Sequence, residues 1–309
     1  MCISIITPHF NDFEGIKHTH KCLMNQDSDQ WEWIVVDDFS DSIVRKSLKD
    51  YFKQHDCSNI KLIFNNLKTN GSICRNKGID IASGNALVFL DSDDIISEDF
   101  VSNRLIDVED FVVFKNSSII DEKGYKKPFS NISSNYLNHF LQAKFAWQTT
   151  AILWNKDFLI KIGKFNSDLK RLQDIELSIR ALFLGTNYKV IDNKVDFFYC
   201  VAPINIKKRP VKVICESVNY LISSIHANYT LDVHKQGLIK GYYYLCVRYL
   251  QRSKLKKDVS YVKNSLKLFY VKKYISFYQY VLGLVFLKLF KYNLISGDLF
   301  IKLNRYFYK

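Results

Sequence analysis

The segment Ala86-Leu87-Val88-Phe89-Leu90-Asp91-Ser92-Asp93-Asp94 runs from five apolar residues straight into three carboxylates. A continuous apolar run containing Val and Phe predicts a strand buried on both faces, of the kind found in parallel sheets. If the chain stays extended past Leu90, Asp91 and Asp93 project to the same side, because side chains alternate along a strand. Carboxylates so close repel one another, and a cation between them relieves the repulsion. One reading is therefore an Asp-x-Asp site for Mg2+ or Mn2+ and the phosphates such an ion carries. The other is an acidic turn capping the next helix, since Asp is common in turns and at helix N-termini. Nine residues alone do not choose between them.

Their surroundings do. Residues 3–7 (broken by Pro8), 33–36 and 60–64 read as three further strands, with helices expected over 13–23, 43–54 and 72–82, the last stopped by Gly84. Strands alternating with helices at this spacing predict an α/β domain with a mostly parallel sheet flanked by helices. Thr7-Pro8, Asp37-Asp38 and the acidic run from Asp91 to Asp94 all fall just past strand ends, where open α/β sheets bind ligands. A helix cap gives no reason for that clustering, so the metal–nucleotide reading gains. Arg75 is expected in the first turn of a helix starting near Ser72. A cation there opposes the helix dipole by about 0.3–1 kcal/mol, a cost that a bound anion offsets. Asp94 is expected to cap the turn into Ser97 and Glu98.

Beyond the acidic run, 111–114, 149–154, 188–191 and 197–201 read as later strands. Residues 173–182 read as an amphipathic helix, with Ile175, Ile179 and Leu182 on one face and Asp174 at its start.

Charge divides the chain. Of its 309 residues, 201–309 carry 20 Lys and Arg against 4 Asp and Glu, a net of +16, which leaves −3 of the total +13 for residues 1–200. Helical periodicity recurs over 211–228, 234–250 and 259–270, and from Tyr261 onward 14 aromatics are interleaved with Lys. That pattern suits a helical subdomain or a surface for anionic lipid. No nucleic-acid recognition motif accompanies it, so no nucleic acid is expected as a partner. Seven cysteines without a Cys-x-x-Cys pair, several inside apolar runs, predict reduced thiols in a cytoplasmic protein and neither a disulfide framework nor a zinc site. The first strand starts within three residues and no basic leader precedes it, so no signal peptide is expected. The apolar stretch 280–287 is far short of the roughly 20 residues a spanning helix needs.

Taken together these pieces resemble the family 2 glycosyltransferases of GT-A fold, a Rossmann-related architecture. In order they are residues 3–8 with Asn11, 33–41, 70–79, Gly84 and 89–94, then Gly163-Lys164-Phe165 followed by Gln173-Asp174. The resemblance covers about residues 1–200 and implies a role for each matching position. Thr7, Pro8 and Asn11 would line the nucleotide-sugar pocket, and Asp38 would accept from the base, commonly uracil. Arg75 would lie near the phosphates, Asp91 with Ser92 would contact the donor, and Asp93 would ligate Mn2+ or Mg2+. Asp174 would be the general base that deprotonates the acceptor hydroxyl. Three positions depart from the family: Gln173 precedes Asp174 where an acid is usual, and His9 stands where a small residue is usual. Tyr199-Cys200-Val201 lacks the nearby basic residue, a charge that Lys207, Lys208 or Arg209 could supply.

The expectation is an inverting, metal-dependent hexosyltransferase that moves a sugar from a UDP-sugar to a lipid-linked glycan. Its products would be bacterial surface polysaccharides such as O-antigen, capsule or lipooligosaccharide. It would be cytoplasmic and peripheral on the inner face of the cell membrane. Residues 1–205 would form the transferase domain (1–100 binding the nucleotide-sugar, 101–205 the acceptor), and 206–309 a basic helical region contacting the membrane surface. A nucleotidyltransferase is an alternative, although Thr7-Pro8-His9-Phe10-Asn11 lacks the glycine-rich loop such enzymes carry. A non-catalytic nucleotide-sugar-binding protein of the same fold is another.

Overall fold

In the computed structural model, which describes residues 2–55, 58–121, 123–129, 134–201, 210–253 and 255–309, strands and helices alternate over the first ninety residues. The elements there are β1 (Ile3–His9), α1 (Phe13–Met24), β2 (Trp31–Asp37), α2 (Ser42–Gln54), β3 (Ile60–Phe64), α3 (Gly71–Ile81) and β4 (Ala86–Phe89). There follow β5 (Ile95–Ile96), β6 (Phe111–Phe114), β7 (Ser118–Ile120), β8 (Lys126–Pro128), α4 (Tyr136–Leu141), β9 (Ile152–Asn155) and α5 (Lys156–Lys161). Last come α6 (Gln173–Leu184), β10 (Lys189–Ile191), β11 (Phe197–Cys200), α7 (Val211–Asn228), α8 (Val233–Ser253), α9 (Val259–Val271), α10 (Phe277–Lys291) and α11 (Gly297–Tyr308). They form two compact units. One comprises Met1–Ile132, Ala146–Asp168 and Arg180–Pro203; the other comprises Ser133–Phe145, Leu169–Ile179 and Ile204–Lys309. Residues 133–145 and 169–179 thus cluster with the basic C-terminal helices.

The first unit is built on a seven-stranded sheet of order β10-β6-β9-β4-β1-β2-β3. Every pairing in it is parallel except those of β9, which runs antiparallel to β4 and β6. The strands β1, β2 and β4 lie in the interior because both of their faces are apolar. Ile3, Ile5, Trp33, Val35 and Val88 share one core with Ile16 and Leu23 of α1 and Leu48 of α2. Each such side chain contributes about 1.5–3 kcal/mol on burial. On the other face α3 lies so close that a side chain at Gly78 would overlap Ile6. The chain leaves β1 toward β2 on one side and returns as β4 on the other, so a crevice opens beyond these strand ends.

Two expectations are corrected here. Pro8 does not break β1, which continues to His9 with Pro8 opposite Val36. Leu90 N–H donates to Ile6 O (3.0 Å), so even-numbered residues of β1 direct their backbone groups toward β4. Since β4 ends opposite Ile6, the N–H that Pro8 lacks falls on an unpaired edge, where proline is tolerated. Likewise 149–154 is not one strand: Thr149–Ala151 forms a 3-10 turn before β9.

A second sheet, β5-β11-β7-β8, completes this unit. Ile96 of β5 and Phe197 of β11 join it to the core, beside a buried ion pair in which Arg104 donates to both oxygens of Asp196 (2.7 and 3.2 Å) just before β11. The guanidinium lies between the rings of Phe100 and Phe114, 3.5 and 4.2 Å from their centroids.

The second unit is helical. Tyr242 of α8 donates to Phe140 O of α4 (2.7 Å), and Gly241 approaches Gln142 so closely that a side chain would overlap its carbonyl. Ser276 opens α10 with a reciprocal capping box to Gln279, and Ser296 caps α11. Cys2, Cys22, Cys74, Cys200, Cys215 and Cys246 are free thiols, and Cys57 lies outside the described residues. Among the described residues, no helix is long and apolar enough to cross a membrane.

At the end of the main sheet opposite the crevice, Glu32 gathers four donors. They are Ser4 Oγ (2.5 Å), Lys61 Nζ (2.6 Å), Ser83 N (2.5 Å) and Gly84 N (3.3 Å). Burial alone would raise its pKa, but the Lys61, Ser4 and Ser83 bonds outweigh it and hold the carboxyl at about 2, against an ordinary 4.5. Because the folded value is depressed, this stabilisation is complete above pH 4.5 and is lost as pH falls toward about 2. The difference in urea midpoint between the native protein and Glu32→Gln should therefore be constant above about pH 5 and shrink on acidification through that window.

Candidate active site

The acidic run following β4 is folded as a turn, with Asp94 N–H donating to Asp91 O (3.1 Å). It is seated on the start of α1. Ser92 Oγ donates to Asp12 Oδ2 (2.6 Å), while Asp12 Oδ1 caps α1 by accepting from Gly15 N (3.2 Å). Gly15 is required by this approach, since a Cβ there would overlap the Asp12 carboxylate and come within 2.8 Å of Ser92 O. The hydroxyl of Ser92 is thus committed to positioning the turn.

Carboxylate oxygens of Asp91, Asp93 and Asp94 lie within 4.8 Å of one another. Their environments differ. Asp91 accepts from Arg75 Nη2 at 2.7 Å, Asp93 is exposed, and Asp94 is buried with Cys200 N–H donating to it at 3.0 Å. Asp94 thereby fastens β11 to this edge across 106 positions of sequence. A cluster of hard oxygen donors is the chemistry that Mg2+ and Mn2+ prefer, so the residues fit such an ion. Arg75 also departs from expectation. The helix α3 starts at Gly71 with Asn70 as its cap, which puts Arg75 in the second turn, where its charge is answered by Asp91.

The loops after β1 and β2 are tied together by His9. Its Nε2 accepts from Asp12 N (3.0 Å), so the proton is assigned to Nδ1, which donates to Asp37 Oδ1 (2.8 Å). Ser40 N–H donates to the other Asp37 oxygen (3.0 Å). Burial works against ionisation of Asp37, yet the His9 and Ser40 bonds hold its carboxyl below the ordinary range. This accounts for an imidazole where a small residue is usual: it bridges both loops and the start of α1. Asn11, in the left-handed region (φ 53°), exchanges amide bonds with Asp41 (3.1 and 2.8 Å) and so closes the same junction.

Asp38 is buried and fastens the loop after β3. It accepts from Thr69 N (2.8 Å), the Thr69 hydroxyl, Asn65 Nδ2 (3.3 Å) and Lys68 Nζ (2.9 Å). Against the effect of burial, the Lys68, Thr69 and Asn65 bonds keep it below the ordinary carboxylate range. Thr7 is a correction. Its side chain is fully buried and its hydroxyl accepts from Trp33 Nε1 (2.9 Å), so it braces the core and does not line the crevice. Pro8, one step along the strand, is half-buried on the opposite side.

Sequence reasoning missed two aromatic rings here. Phe10 and Phe39 are 47% and 44% exposed, and they flank a cavity of about 290 Å³ lined also by Ser40, Asp41, Arg45 and Lys68. Lys68 Nζ sits 3.1 Å from the Phe10 ring centroid, and the Arg45 guanidinium 5.4 Å from that of Phe39. Phe39 has φ +64°, a conformation unusual for a bulky side chain and retained where the surroundings enforce it. The available signal was an aromatic within two residues of each of two strand ends, with no core position to fill.

The Gly163-Lys164-Phe165 motif is clamped on α3. Asn76 donates to Phe165 O (2.8 Å) and accepts from its N–H (2.9 Å), and Lys164 pairs with Asp80. The Phe165 ring packs perpendicular to Phe89 (4.8 Å), and Arg75 reaches between that ring and Asp91.

Asp174 belongs to the second unit, as the second residue of α6. Its neighbourhood is held by Arg171 N–H on Ser217 Oγ (3.2 Å) and Gln173 Nε2 on Leu169 O (2.6 Å). The phenol of Tyr242 is pushed well up, by complete burial and then by the Asp174 charge. Lys207, Lys208 and Arg209 lie outside the described residues.

Residues 4–166 match the family model described as Glycosyl transferase family 2. The chain belongs to that family. Among curated relatives of this glycosyltransferase is the amylovoran biosynthesis glycosyltransferase AmsB of Erwinia amylovora, 26% identical over 85% of this chain and 87% of that one. Another is the GalNAc(5)-diNAcBac-PP-undecaprenol beta-1,3-glucosyltransferase of Campylobacter jejuni, 30% identical over 54% of this chain and 55% of that one. Among solved structures, S. aureus TarS 1-349 in complex with UDP-GlcNAc superimposes with a TM-score of 0.61 at 17% identity, covering 89% of this chain and 88% of that one. The GT-A-like α/β fold with a helical C-terminal region is thereby shown.

Asp12 joins the acidic turn to α1, so its loss is felt twice. Removing an N-cap costs about 0.5–2 kcal/mol, and the Ser92 hydrogen bond goes with it. Asp12→Ala should lower stability to urea by about 1–3 kcal/mol, and Asp12→Asn, which still caps, by less.

Proposed function

We propose that this glycosyltransferase moves a sugar, with inversion, from a UDP-sugar to a lipid-linked glycan during assembly of a bacterial surface polysaccharide. The observation that carries the reading is the coincidence, at one sheet edge, of the acidic turn and the aromatic cavity. Phe10 and Phe39 suit a nucleobase, which stacks on aromatic faces. Lys68 and Asp38 beside them offer a donor and an acceptor to its polar edge. Asp93, with Asp91, would hold Mn2+ or Mg2+ against the diphosphate, while Arg75 stands behind Asp91 as a further positive charge. When bound, such an ion supplies neutralisation of the negative charge that develops on the departing diphosphate. Asp174 is the proposed general base. It stands in the first turn of α6, and in this role it would take the acceptor hydroxyl's proton as that oxygen attacks the anomeric carbon. The bond to the diphosphate breaks on the opposite face, which inverts the centre.

The acceptor reading draws on the Campylobacter relative, whose name carries a diphosphoundecaprenol-linked glycan. A membrane-facing C-terminal region, and with it a peripheral position on the inner face of the cell membrane, is supported by α10. Phe277, Tyr278, Val281 and Val285 are exposed there beside Lys288 and Lys291, a combination suited to the boundary between lipid headgroups and acyl chains.

Transfer assays with UDP-sugars and saturating Mn2+ test the chemistry. Asp93→Ala and Asp174→Asn should each lower turnover by about 10²–10⁴-fold, with UDP as the released product. Full activity in either variant would overturn the assigned roles, and release of pyrophosphate would favour a nucleotidyltransferase. Phe10→Ala and Phe39→Ala should each weaken UDP binding by about 5- to 150-fold in calorimetric titration, matching the ~1–3 kcal/mol of a stacked base.

A further inference from the structure

The second unit contains a basic pocket that the transferase chemistry does not use. It has a volume of about 480 Å³ and lies between α8, which supplies Tyr244, Arg248 and Arg252, and α11, which supplies Lys302 and Arg305. Lys309 and Asp298 complete its charged lining, giving five cations against one carboxylate. The residues of α8 recur at intervals of four, and those of α11 at three and four, so each helix presents one exposed charged face to the pocket.

Three features distinguish this pocket from a solvated charged surface. The Arg305 guanidinium is fixed in direction, because its Nε donates to the hydroxyl of buried Tyr244 (3.2 Å) and its two terminal nitrogens remain available. Among the described residues, neither Arg248, Arg252, Lys302 nor Arg305 forms an ion pair with a carboxylate, so the repulsion of the cluster is not relieved within the chain. Arginine also presents paired N–H donors whose geometry matches phosphate oxygens. We propose that this pocket binds a phosphate-bearing anion, either a diphosphate or the phosphate of a lipid headgroup. The cavity that adjoins it shares Gln251 and Asp298 and adds Phe290 and Ile295, so apolar substance attached to the phosphate has a surface to follow. A second copy of this region is disfavoured as the occupant, since residues 201–309 carry a net +16. The inference is independent of the donor site.

Calorimetric titration of the full chain with inorganic pyrophosphate, in EDTA and low salt, tests it. Arg248→Gln/Arg252→Gln should weaken binding at least about tenfold. The control Lys263→Gln/Lys267→Gln removes the same charge from exposed positions of α9 and should change binding less than about twofold. Circular dichroism verifies that both variants remain folded. Equal loss in both, or no loss in the arginine variant, overturns the proposal. Sedimentation with phosphatidylglycerol vesicles, against phosphatidylcholine alone, separates the sources. A fall in phosphatidylglycerol binding confined to the arginine variant assigns the anion to lipid. Unchanged sedimentation together with weakened pyrophosphate binding assigns it to a soluble diphosphate.

Discussion

The parallel pairing of β1 with β2 on one side and β4 on the other determines where every loop of the donor region emerges. Ile3 lies opposite both Trp31 and Ala86, so the three strands start level. They do not end level: β4 stops opposite Ile6, while β1 and β2 continue together to His9 and Asp37. The acidic turn therefore leaves the sheet early and folds back beside the overhang of β1. That register gathers Ile3, Ile5, Trp33, Val35 and Val88 in one core on one face, and on the other it sets Ser4 opposite Glu32, whose buried carboxylate its hydroxyl satisfies. Without this offset, Asp12 could not reach Ser92.

Once the backbone is placed, charge is apportioned among the carboxylates by what faces each one. Asp37 is held by the His9 hydrogen bond with Arg45 Nε 3.7 Å away, Asp38 is answered by Lys68, Asp91 by Arg75 and Asp94 by the Cys200 backbone. Only Asp93 of the acidic turn is exposed. A row of acids at a sheet edge is thus mostly scaffolding, and the hydrogen bonds that hold Asp37 and Asp38 below their ordinary range also hold the loops that carry Phe10, Phe39 and Lys68.

What was legible in the sequence was local. The strands β1 to β4 were legible because each is a short, mostly apolar run rich in Ile and Val or Phe, and α3 because Asn70 and the stop before Gly84 bracket it. The second sheet was not: β5, β7 and β8 are two or three residues long, too short for alternation to register, and β5 and β7 depend on pairing with β11, 80 to 103 positions away, while β8 pairs with β7. The same distance hid the job of Asp94 and the clustering of 169–179 with the C-terminal helices. Thr7 was misread because a motif gives a position but not the side of the strand. Its hydroxyl turns inward to Trp33, while Phe10 and Phe39, which read as ordinary apolar residues, stand at the surface.

The two units differ in character as well as in contacts: a near-neutral α/β body and a basic helical region whose outer residues are unusually aromatic. Nucleotide binding is proposed for the first. A thermal-shift titration of the full chain with UDP, with and without Mn2+, tests it most directly, since a ligand of the folded state raises the melting temperature in proportion to the logarithm of its concentration over Kd. The expected result is a UDP-dependent rise that Mn2+ enhances and that Asp93→Ala reduces to the metal-free level. A melting temperature indifferent to UDP at every Mn2+ concentration would contradict it.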